Sequence, residues 1–232
     1  MKANLVIVRH GQSLWNLENK FTGWANPPLT KLGEEEAQTA GKRVASLNLD
    51  FNKAYTSYLK RSIHTLWYML SEMDMEWLEV EKNYRLNERH YGALTGLNKK
   101  ETAEKYGEDQ VFIWRRSFDT PPPQLENDDP RHPKNDKRYL GVLSEEDLPS
   151  GESLKDCLER FMPLWKKKIS QDLKSGNNIL IAAHGNSLRA LMLQLEGISS
   201  EDITQVEIET GVPIHYEIET ESLKVLSKKL LD

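Results

Sequence analysis

Short runs of apolar residues bounded by polar ones recur along the chain and indicate strands. The runs 4–8 (NLVIV) and 178–183 (NILIAA) are almost wholly apolar, a pattern typical of central strands covered by helices on both faces. Segment 50–57 is a weaker strand candidate, and 212–219 alternates like a strand nearer an edge. Stretches with helical periodicity lie between them, at 31–47, 58–72, 98–106, 152–171 and 186–196. This alternation predicts an α/β fold, a three-layer sandwich with a mostly parallel central sheet flanked by helices.

One long segment interrupts the alternation. Residues 117–149 show no periodicity, and the part reading DTPPPQLENDDPRHPKNDKRY holds five of the ten prolines of the chain. A structureless stretch of this length inside a compact domain is usually either a lid or disordered. We interpret it as a lid-like insertion in a single domain, 1–232, that ends in a C-terminal tail over about 220–232.

Composition argues against several classes of protein. Hydrophobic residues make up 38% of the chain, and no apolar run reaches the length of a membrane span. Since no charged-then-apolar leader is visible either, we expect a soluble, cytoplasmic protein with no membrane partner. The net charge of −5 argues against a nucleic-acid partner but allows a locally basic pocket for a small anion. The only cysteine, Cys157, lies among apolar residues at helical spacing, which favours burial over a nucleophilic role.

Both core strands end in a histidine followed by glycine. The first ends in RHG, with His10, and the second in HGN, with His184. The carboxyl ends of strands in an open α/β sheet bind ligands, and two imidazoles beside arginine form a cluster of donors suited to a phosphoryl group. We therefore predict a phosphate site of His10, His184 and Arg9, with Asn16 as a neutral donor. Arg61, which alone would be interpreted as a solvated helix residue, begins a helix near the same edge and is a second candidate cation.

His10 is the candidate nucleophile. A neutral imidazole nitrogen can accept a phosphoryl group when its other nitrogen is held as a donor. Neighbouring positive charge lowers the pKa of the ring and keeps it neutral near pH 7, while arginines stabilise the oxygens of the transition state. The chain offers no cluster of residues at metal-ligand spacing, so we predict chemistry without a metal.

A carboxylate is needed to move the proton of the substrate hydroxyl. The stretch LNERHYGALTGLNKKE (86–101) supplies the best candidate, Glu88, in a segment with two glycines and few apolar residues. Most acidic residues of a protein are solvated surface groups, so spacing alone leaves this assignment open.

Taken in order, several segments resemble the histidine phosphatase superfamily. Within it, the similarity is to the 2,3-bisphosphoglycerate-dependent phosphoglycerate mutases. The similar segments are LVIVRHGQSLWNLENKFTGWANPPLTKLGEEEA, TSYLKRSIHT, LNERHYGALTGLNKKETAEKYGEDQVFIWRRSFDTPPP, LPSGESLKD and AAHGNSLRAL. The RHG motif marks only the superfamily, whereas ERHYGALTGLNK and WRRSFDTPPP point to the mutases.

The resemblance implies a role for each matching residue. His10 would be the phosphorylated nucleophile and Glu88 the proton donor and acceptor, with Arg9, Arg61 and His184 around the transferring phosphate. The remaining implied substrate-binding residues are Gln12, Ser13, Asn16, Thr22, Gly23, Arg89, Tyr91, Lys99, Arg115, Arg116, Gly185 and Asn186. The implied reaction is the interconversion of 3-phosphoglycerate and 2-phosphoglycerate in glycolysis and gluconeogenesis, primed by 2,3-bisphosphoglycerate as cofactor and run by a homodimer.

Two alternatives remain at this point. A phosphatase would use the same histidines with water as the final acceptor, but would not need the distal cations Lys99, Arg115 and Arg116. A phosphoprotein-binding module would not need His10 and Glu88 together. The sequence favours the mutase.

Overall fold

The structure, a computed structural model, describes residues 1–232 and is built on one six-stranded sheet. The strands are β1 (Lys2–Arg9), β2 (Lys53–Thr56), β3 (Val80–Lys82), β4 (Ile179–Ala183), β5 (Pro213–Glu219) and β6 (Val225–Leu230). Their order across the sheet is β3-β2-β4-β1-β5-β6. The first four are mutually parallel and β5 runs antiparallel to β1. The predicted mostly parallel sheet is confirmed.

Helices cover both faces of this sheet. They are α1 (Leu14–Leu17), α2 (Lys31–Ala45), α3 (Lys60–Glu72), α4 (Lys99–Tyr106), α5 (Glu108–Arg116), α6 (Leu154–Leu164), α7 (Ser170–Lys174) and α8 (Gly185–Glu196). Strand β1 shows why two layers are needed: Leu5 and Ile7 enter the core beneath α6 and α8, while Val6 and Val8 enter the core beneath α2 and α3. A strand buried on both faces has a continuous apolar sequence, which confirms the three-layer prediction.

Local signals explain where several helices begin. Thr30 caps α2 by accepting a hydrogen bond from the Gly33 amide, and Ser153 and Asp156 form a reciprocal capping box on α6. The predicted helix over 152–171 is divided by a π-helical turn at Trp165–Ile169. Helix α5 was not predicted.

The insertion 117–149 is packed against the domain, with short 3-10 helices at Pro133–Asn135 and Glu145–Asp147. Tyr139 is buried, and its hydroxyl accepts a hydrogen bond from Asn87 Nδ2 at 2.8 Å. The tail expected over about 220–232 instead contributes β6, which pairs with β5 at the sheet edge. None of the helices combines the length and the apolar composition that a membrane-spanning helix requires.

Candidate active site

The two histidines meet because β1 and β4 are parallel neighbours in register. Arg9 lies opposite Ala183, and the backbone amide of His10 donates to the Ala183 carbonyl at 3.0 Å. The residue that follows each strand is therefore delivered to the same point, and the imidazole centroids of His10 and His184 are 5.0 Å apart. The predicted meeting of His10 and His184 at one edge of the sheet is confirmed.

The hydrogen bonds of His10 fix which nitrogen is free to react. Its Nδ1 lies 2.7 Å from the Gly11 carbonyl oxygen, which can only accept, so Nδ1 carries the proton. Nε2 accepts a hydrogen bond from Arg61 Nε at 3.1 Å. Burial, and then the charges of Arg61 and Arg9, hold the pKa of His10 well below its usual value. The ring is therefore neutral at pH 7, with its lone pair on Nε2.

The turn after His10 needs glycine for lack of space. A Cβ at Gly11 would stand 2.1 Å from the Gly33 carbonyl oxygen at the start of α2. Since heavy atoms do not approach so closely, any side chain here would push apart the first turn of the helix and the loop that carries the acceptor of His10 Nδ1.

Arg61 links His10 to the loop before α2. It lies in the first turn of α3, is 1% exposed, and donates from Nη1 to Ala25 O and from Nη2 to Gly23 O, both at 2.9 Å. Burial lowers its pKa to about 10, and the charge of Glu88 opposes that shift. Arg61 thus remains a cation at neutral pH, held against the nucleophile.

His184 and Arg9 present buried polar atoms with no partner. His184 Nε2 bonds Ser57 Oγ at 2.8 Å, whereas its Nδ1 and the Nε of Arg9 have no hydrogen-bond partner. Burial, and then the charges of Arg61 and Arg9, hold the pKa of His184 well below its usual value. An unpaired buried donor is costly, so the Nε–H of Arg9 fits a bound anion such as a phosphoryl oxygen. His184 Nδ1 is a second donor in the tautomer in which Ser57 donates to Nε2.

Glu88 stands beside this pocket. Its Oε1 accepts from the backbone amides of Arg89 at 2.7 Å and of Asn186 at 3.2 Å. A Cβ built on Gly185 would lie 3.8 Å from Glu88 Oε2 and 3.9 Å from Arg9 Nε. The second oxygen of Glu88 therefore lies close to the pocket, as a proton-transfer group must.

A buried ion pair that sequence reasoning missed supports the Glu88 loop. Arg160 Nε donates to Glu152 Oε1 at 2.6 Å, and its Nη2 donates to the Glu88 carbonyl at 3.2 Å. Glu152 Oε2 accepts from the His90 amide at 2.8 Å. The only local signal was the SGES segment, where Glu152 immediately precedes the cap of α6.

A second, strongly basic cavity of about 150 Å³ shares Arg9 with the histidine pocket. Its lining contains five cationic side chains and one carboxylate. The lining residues are Arg9, Tyr91, Lys99, Arg115, Arg116, Gly185, Asn186, Arg189 and Glu207. We call this cavity the distal basin. It brings together Lys99, Arg115 and Arg116, the three distal cations that the sequence singled out.

Burial and the neighbouring charges shift the pKa values of Lys99 and Tyr91 in the distal basin. Burial lowers the pKa of Lys99, and nearby Arg115 and Arg9 add to that shift. Burial alone would raise the pKa of Tyr91, but the Arg89 guanidinium, which donates to the Tyr91 hydroxyl at 3.4 Å, holds it below its ordinary value. This field favours anions.

Arg189 and Glu207 are basin residues that the sequence analysis did not single out. Arg189 lies one turn beyond Asn186 on α8 and donates from Nη1 to Asn186 Oδ1 at 3.3 Å. Because residues three positions apart lie on the same face of a helix, the spacing between Asn186 and Arg189 in the sequence already indicated that Arg189 lies beside Asn186. Glu207 comes from an irregular loop and had none.

The other predicted binding residues hold the loops around the pocket. The backbone amide of Gln12 donates a hydrogen bond to Glu36 Oε2 at 2.7 Å, and Ser13 and Asn16 form a capping box on α1. Thr22 and Arg89 are buried, and Arg89 donates to the Arg115 carbonyl at 2.9 Å with its Nε and Nη1 unpartnered.

A larger cavity, of about 570 Å³, lies elsewhere. It lies between the insertion and Trp24, and its lining includes Trp15, Thr95 and Arg138 but neither His10 nor Glu88. We assign the chemistry to the histidine pocket and the distal basin, because the nucleophile and the neutral imidazoles lie there.

Comparison with known proteins agrees with this geometry. The family model for the histidine phosphatase superfamily (branch 1) matches residues 5–130 and 126–229. Solved structures with the same fold include phosphoglycerate mutase from Bacillus anthracis (19% identity, 100% of this chain and 93% of that chain, TM-score 0.69). Others are mycobacterial glucosyl-3-phosphoglycerate phosphatase (18%, 99% and 97%, 0.71) and a putative α-ribazole-5'-P phosphatase from Escherichia coli (20%, 99% and 96%, 0.69).

These similarities to solved structures establish the fold, while the match of the family model extends over nearly the whole chain. With two strand-end histidines, an arginine on each side of the nucleophile and a neighbouring carboxylate, the chain belongs to branch 1 of the histidine phosphatase superfamily.

Proposed function

We propose that this protein is a 2,3-bisphosphoglycerate-dependent phosphoglycerate mutase, which interconverts 3-phosphoglycerate and 2-phosphoglycerate. The observation that carries the proposal is the distal basin, a second cationic cavity beside the histidine pocket. A hydrolase does not need to retain a doubly phosphorylated intermediate. An intermediate with two phosphates and a carboxylate needs cations at both ends. The motifs ERHYGALTGLNK and WRRSFDTPPP supply three of the five basin cations, Lys99, Arg115 and Arg116.

The first half of the reaction is phosphoryl transfer through His10. When bound, 2,3-bisphosphoglycerate supplies the phosphoryl group that loads the enzyme. Because Gly11 holds Nδ1–H, Nε2 is the nucleophilic nitrogen. As Arg61 Nε shifts its hydrogen bond from Nε2 to a phosphoryl oxygen, the lone pair of Nε2 forms the N–P bond and the P–O bond to the departing hydroxyl oxygen breaks. Arg9, Arg61 and the Nδ1 of His184, protonated when Ser57 donates to Nε2, stabilise the phosphoryl oxygens.

The second task is proton transfer at the substrate oxygen. One oxygen of Glu88 is fixed by two backbone amides, which orients the other toward the pocket. Glu88 protonates the departing oxygen and, in the reverse direction, takes the proton of the attacking hydroxyl. Phospho-His10 transfers its phosphoryl group to the free 2-hydroxyl of 3-phosphoglycerate and forms 2,3-bisphosphoglycerate. That intermediate reorients, His10 takes back the phosphoryl group from position 3, and 2-phosphoglycerate is left.

The residues present fit a bisphosphorylated primer. Buried unpartnered atoms of Arg9, Arg89 and His184 supply donors for anionic oxygens, and the basin supplies further cations. No group of three or more His, Cys, Asp or Glu side chains could hold a metal ion. We further propose a cytoplasmic homodimer acting on small phosphoglycerates, to be checked by light scattering and by cell fractionation.

The deciding experiment is conversion of 3-phosphoglycerate, coupled to detection of 2-phosphoglycerate, with and without added 2,3-bisphosphoglycerate. A mutase shows primer-dependent conversion that greatly exceeds release of inorganic phosphate. If phosphate release dominates under both conditions, the protein is a phosphatase. No turnover of either kind would indicate a binding module.

The nucleophile is tested by labelling. Protein incubated with radiolabelled 2,3-bisphosphoglycerate should form an acid-labile, base-stable phosphoenzyme, and folded His10→Ala should take up no label. His64→Ala, which changes a histidine outside the site, is the matched control and should label fully. Full labelling of His10→Ala would assign the nucleophile elsewhere.

A further inference from the structure

One carboxylate stands among the cations of the distal basin. Glu207 pairs with Arg116 Nη2, and its Oε2 lies 3.8 Å from Arg189 Nη2. Its side chain is 64% exposed, whereas that of Arg189 is 12% exposed. The most solvated member of this ion cluster is therefore the anion, and the cations around it are more deeply buried.

The loop that carries Glu207 is fastened by the basin's own arginines. Arg116 Nη1 donates to Thr204 O at 3.2 Å, and Arg189 Nε donates to Val206 O at 2.8 Å. These backbone contacts do not depend on the Glu207 carboxylate. A change of Glu207 alone therefore alters the charge of the basin while the loop stays anchored.

We propose that Glu207 is a specificity-determining residue that reduces the preference of the distal basin for ligands of higher negative charge. The inference deepens the proposed function, on which it rests: Glu207 selects between 2,3-bisphosphoglycerate and 3-phosphoglycerate. With one phosphate of either ligand at His10, the basin receives a phosphate and a carboxylate from the first ligand, but only a carboxylate and a hydroxyl from the second.

The discrimination follows from the charge of the group that enters the basin. A phosphate monoester carries a charge of about −1.5 to −2 at pH 7, in addition to the carboxylate. Electrostatic repulsion is proportional to the product of the charges, so Glu207 opposes the bisphosphate more strongly than the monophosphate. The Glu207 carboxylate also competes with the bound ligand for Arg116 and Arg189. This competition likewise weakens binding of the bisphosphate and promotes its release.

The test is calorimetric binding of both ligands to His10→Ala enzyme, in which no phosphoryl group is transferred. In that background Glu207→Gln should lower the Kd for 2,3-bisphosphoglycerate by about fivefold and the Kd for 3-phosphoglycerate by less than about twofold. Raising the salt concentration should reduce the difference, because the group is exposed.

Two variants control for structure and for net charge. Glu209→Gln makes the same charge change two residues away on an exposed side chain that does not line the basin, and should leave both Kd values unchanged. Glu207→Asp retains the charge and should keep the ratio of the two Kd values within about twofold of its original value. In the enzyme with His10 intact, the half-activating concentration of 2,3-bisphosphoglycerate should fall more than the Michaelis constant for 3-phosphoglycerate.

The inference is overturned if Glu207→Gln changes both Kd values by the same factor, weakens both, or matches Glu209→Gln. Its failure is separable from that of the proposed function. If the protein has primer-dependent mutase activity but Glu207→Gln leaves the ratio of the two Kd values unchanged, only the role of Glu207 is ruled out. A changed ratio in a protein that lacks mutase activity removes the proposed function and leaves Glu207 as a selector of anion charge.

Discussion

Loss of the Glu152 charge should destabilise the protein and slow the reaction together. The Glu152 and Arg160 side chains are only 5% and 7% exposed, so Glu152→Gln leaves a buried guanidinium without its counter-charge. Breaking a buried pair in this way costs about 3–5 kcal/mol. The lower end applies here, since glutamine can still accept from the His90 amide and Arg160 keeps its carbonyl partners. Even about 3 kcal/mol is a large share of a typical stability of about 5–15 kcal/mol.

Urea unfolding measures the first effect, and turnover at a temperature where the variant is folded measures the second. Because Arg160 also donates to the Glu88 carbonyl, its relaxation should displace the proton-transfer group and lower kcat by about tenfold to a hundredfold. The matched control is Glu217→Gln, which removes a carboxylate from the exposed pair with Lys2 and should change neither measurement. A loss of less than about 1 kcal/mol in Glu152→Gln would refute the reasoning.

Three further predictions concern proton transfer, metals and acid stability. Glu88→Gln should keep KM nearly unchanged and lower kcat by about two to four powers of ten; a rate near that of the parent would move the role to another carboxylate. Extensive EDTA treatment should leave activity intact and vanadate should inhibit, whereas activity lost to EDTA and restored by manganese or zinc would contradict the mechanism. Burial holds the pKa of His10 and His184 well below the usual value and that of His90 at about 3. At mildly acidic pH these histidines are therefore protonated in the unfolded chain but not in the folded protein. The free energy of unfolding should fall below about pH 6.5, by up to about 1.4 kcal/mol per pH unit for each ring; urea midpoints constant from about pH 7 to 5 would contradict this.

The sequence was sufficient for the histidine pocket because that pocket is a consequence of local pattern and topology. A fully apolar run predicts a central strand, and neighbouring parallel strands must deliver the residues after them to one edge. His10 and His184 could be placed together on these grounds before any distance was known. The same reasoning does not place Glu88, whose position depends on Trp24 Nε1 and Arg160 donating to its carbonyl from distant parts of the chain.

Elements with little buried apolar surface escaped prediction. Strand β6 has only exposed or half-buried residues between Val225 and Leu230, so no alternation marks it, and β3 is three residues long. Glu207 and Glu152 were hidden for a related reason. Each is an acidic residue among 36, and only the fold reveals that one faces the basin cations while the other is buried against Arg160.

The separation of charge between the two cavities explains how one site can hold a nucleophile and a highly charged ligand at once. Near His10 the imidazoles are kept neutral by burial and by Arg61 and Arg9, so they do not repel the guanidinium groups that bind the phosphoryl oxygens. When a phosphate dianion enters, its negative charge offsets the positive charges that lower the pKa of His184 and so favours protonation of that imidazole. The same arginines thus keep His10 nucleophilic before the ligand arrives and stabilise the charge that develops afterwards. The distal basin contains no imidazole and remains cationic throughout, so it can retain the other end of the ligand while the transferring phosphoryl group changes partners.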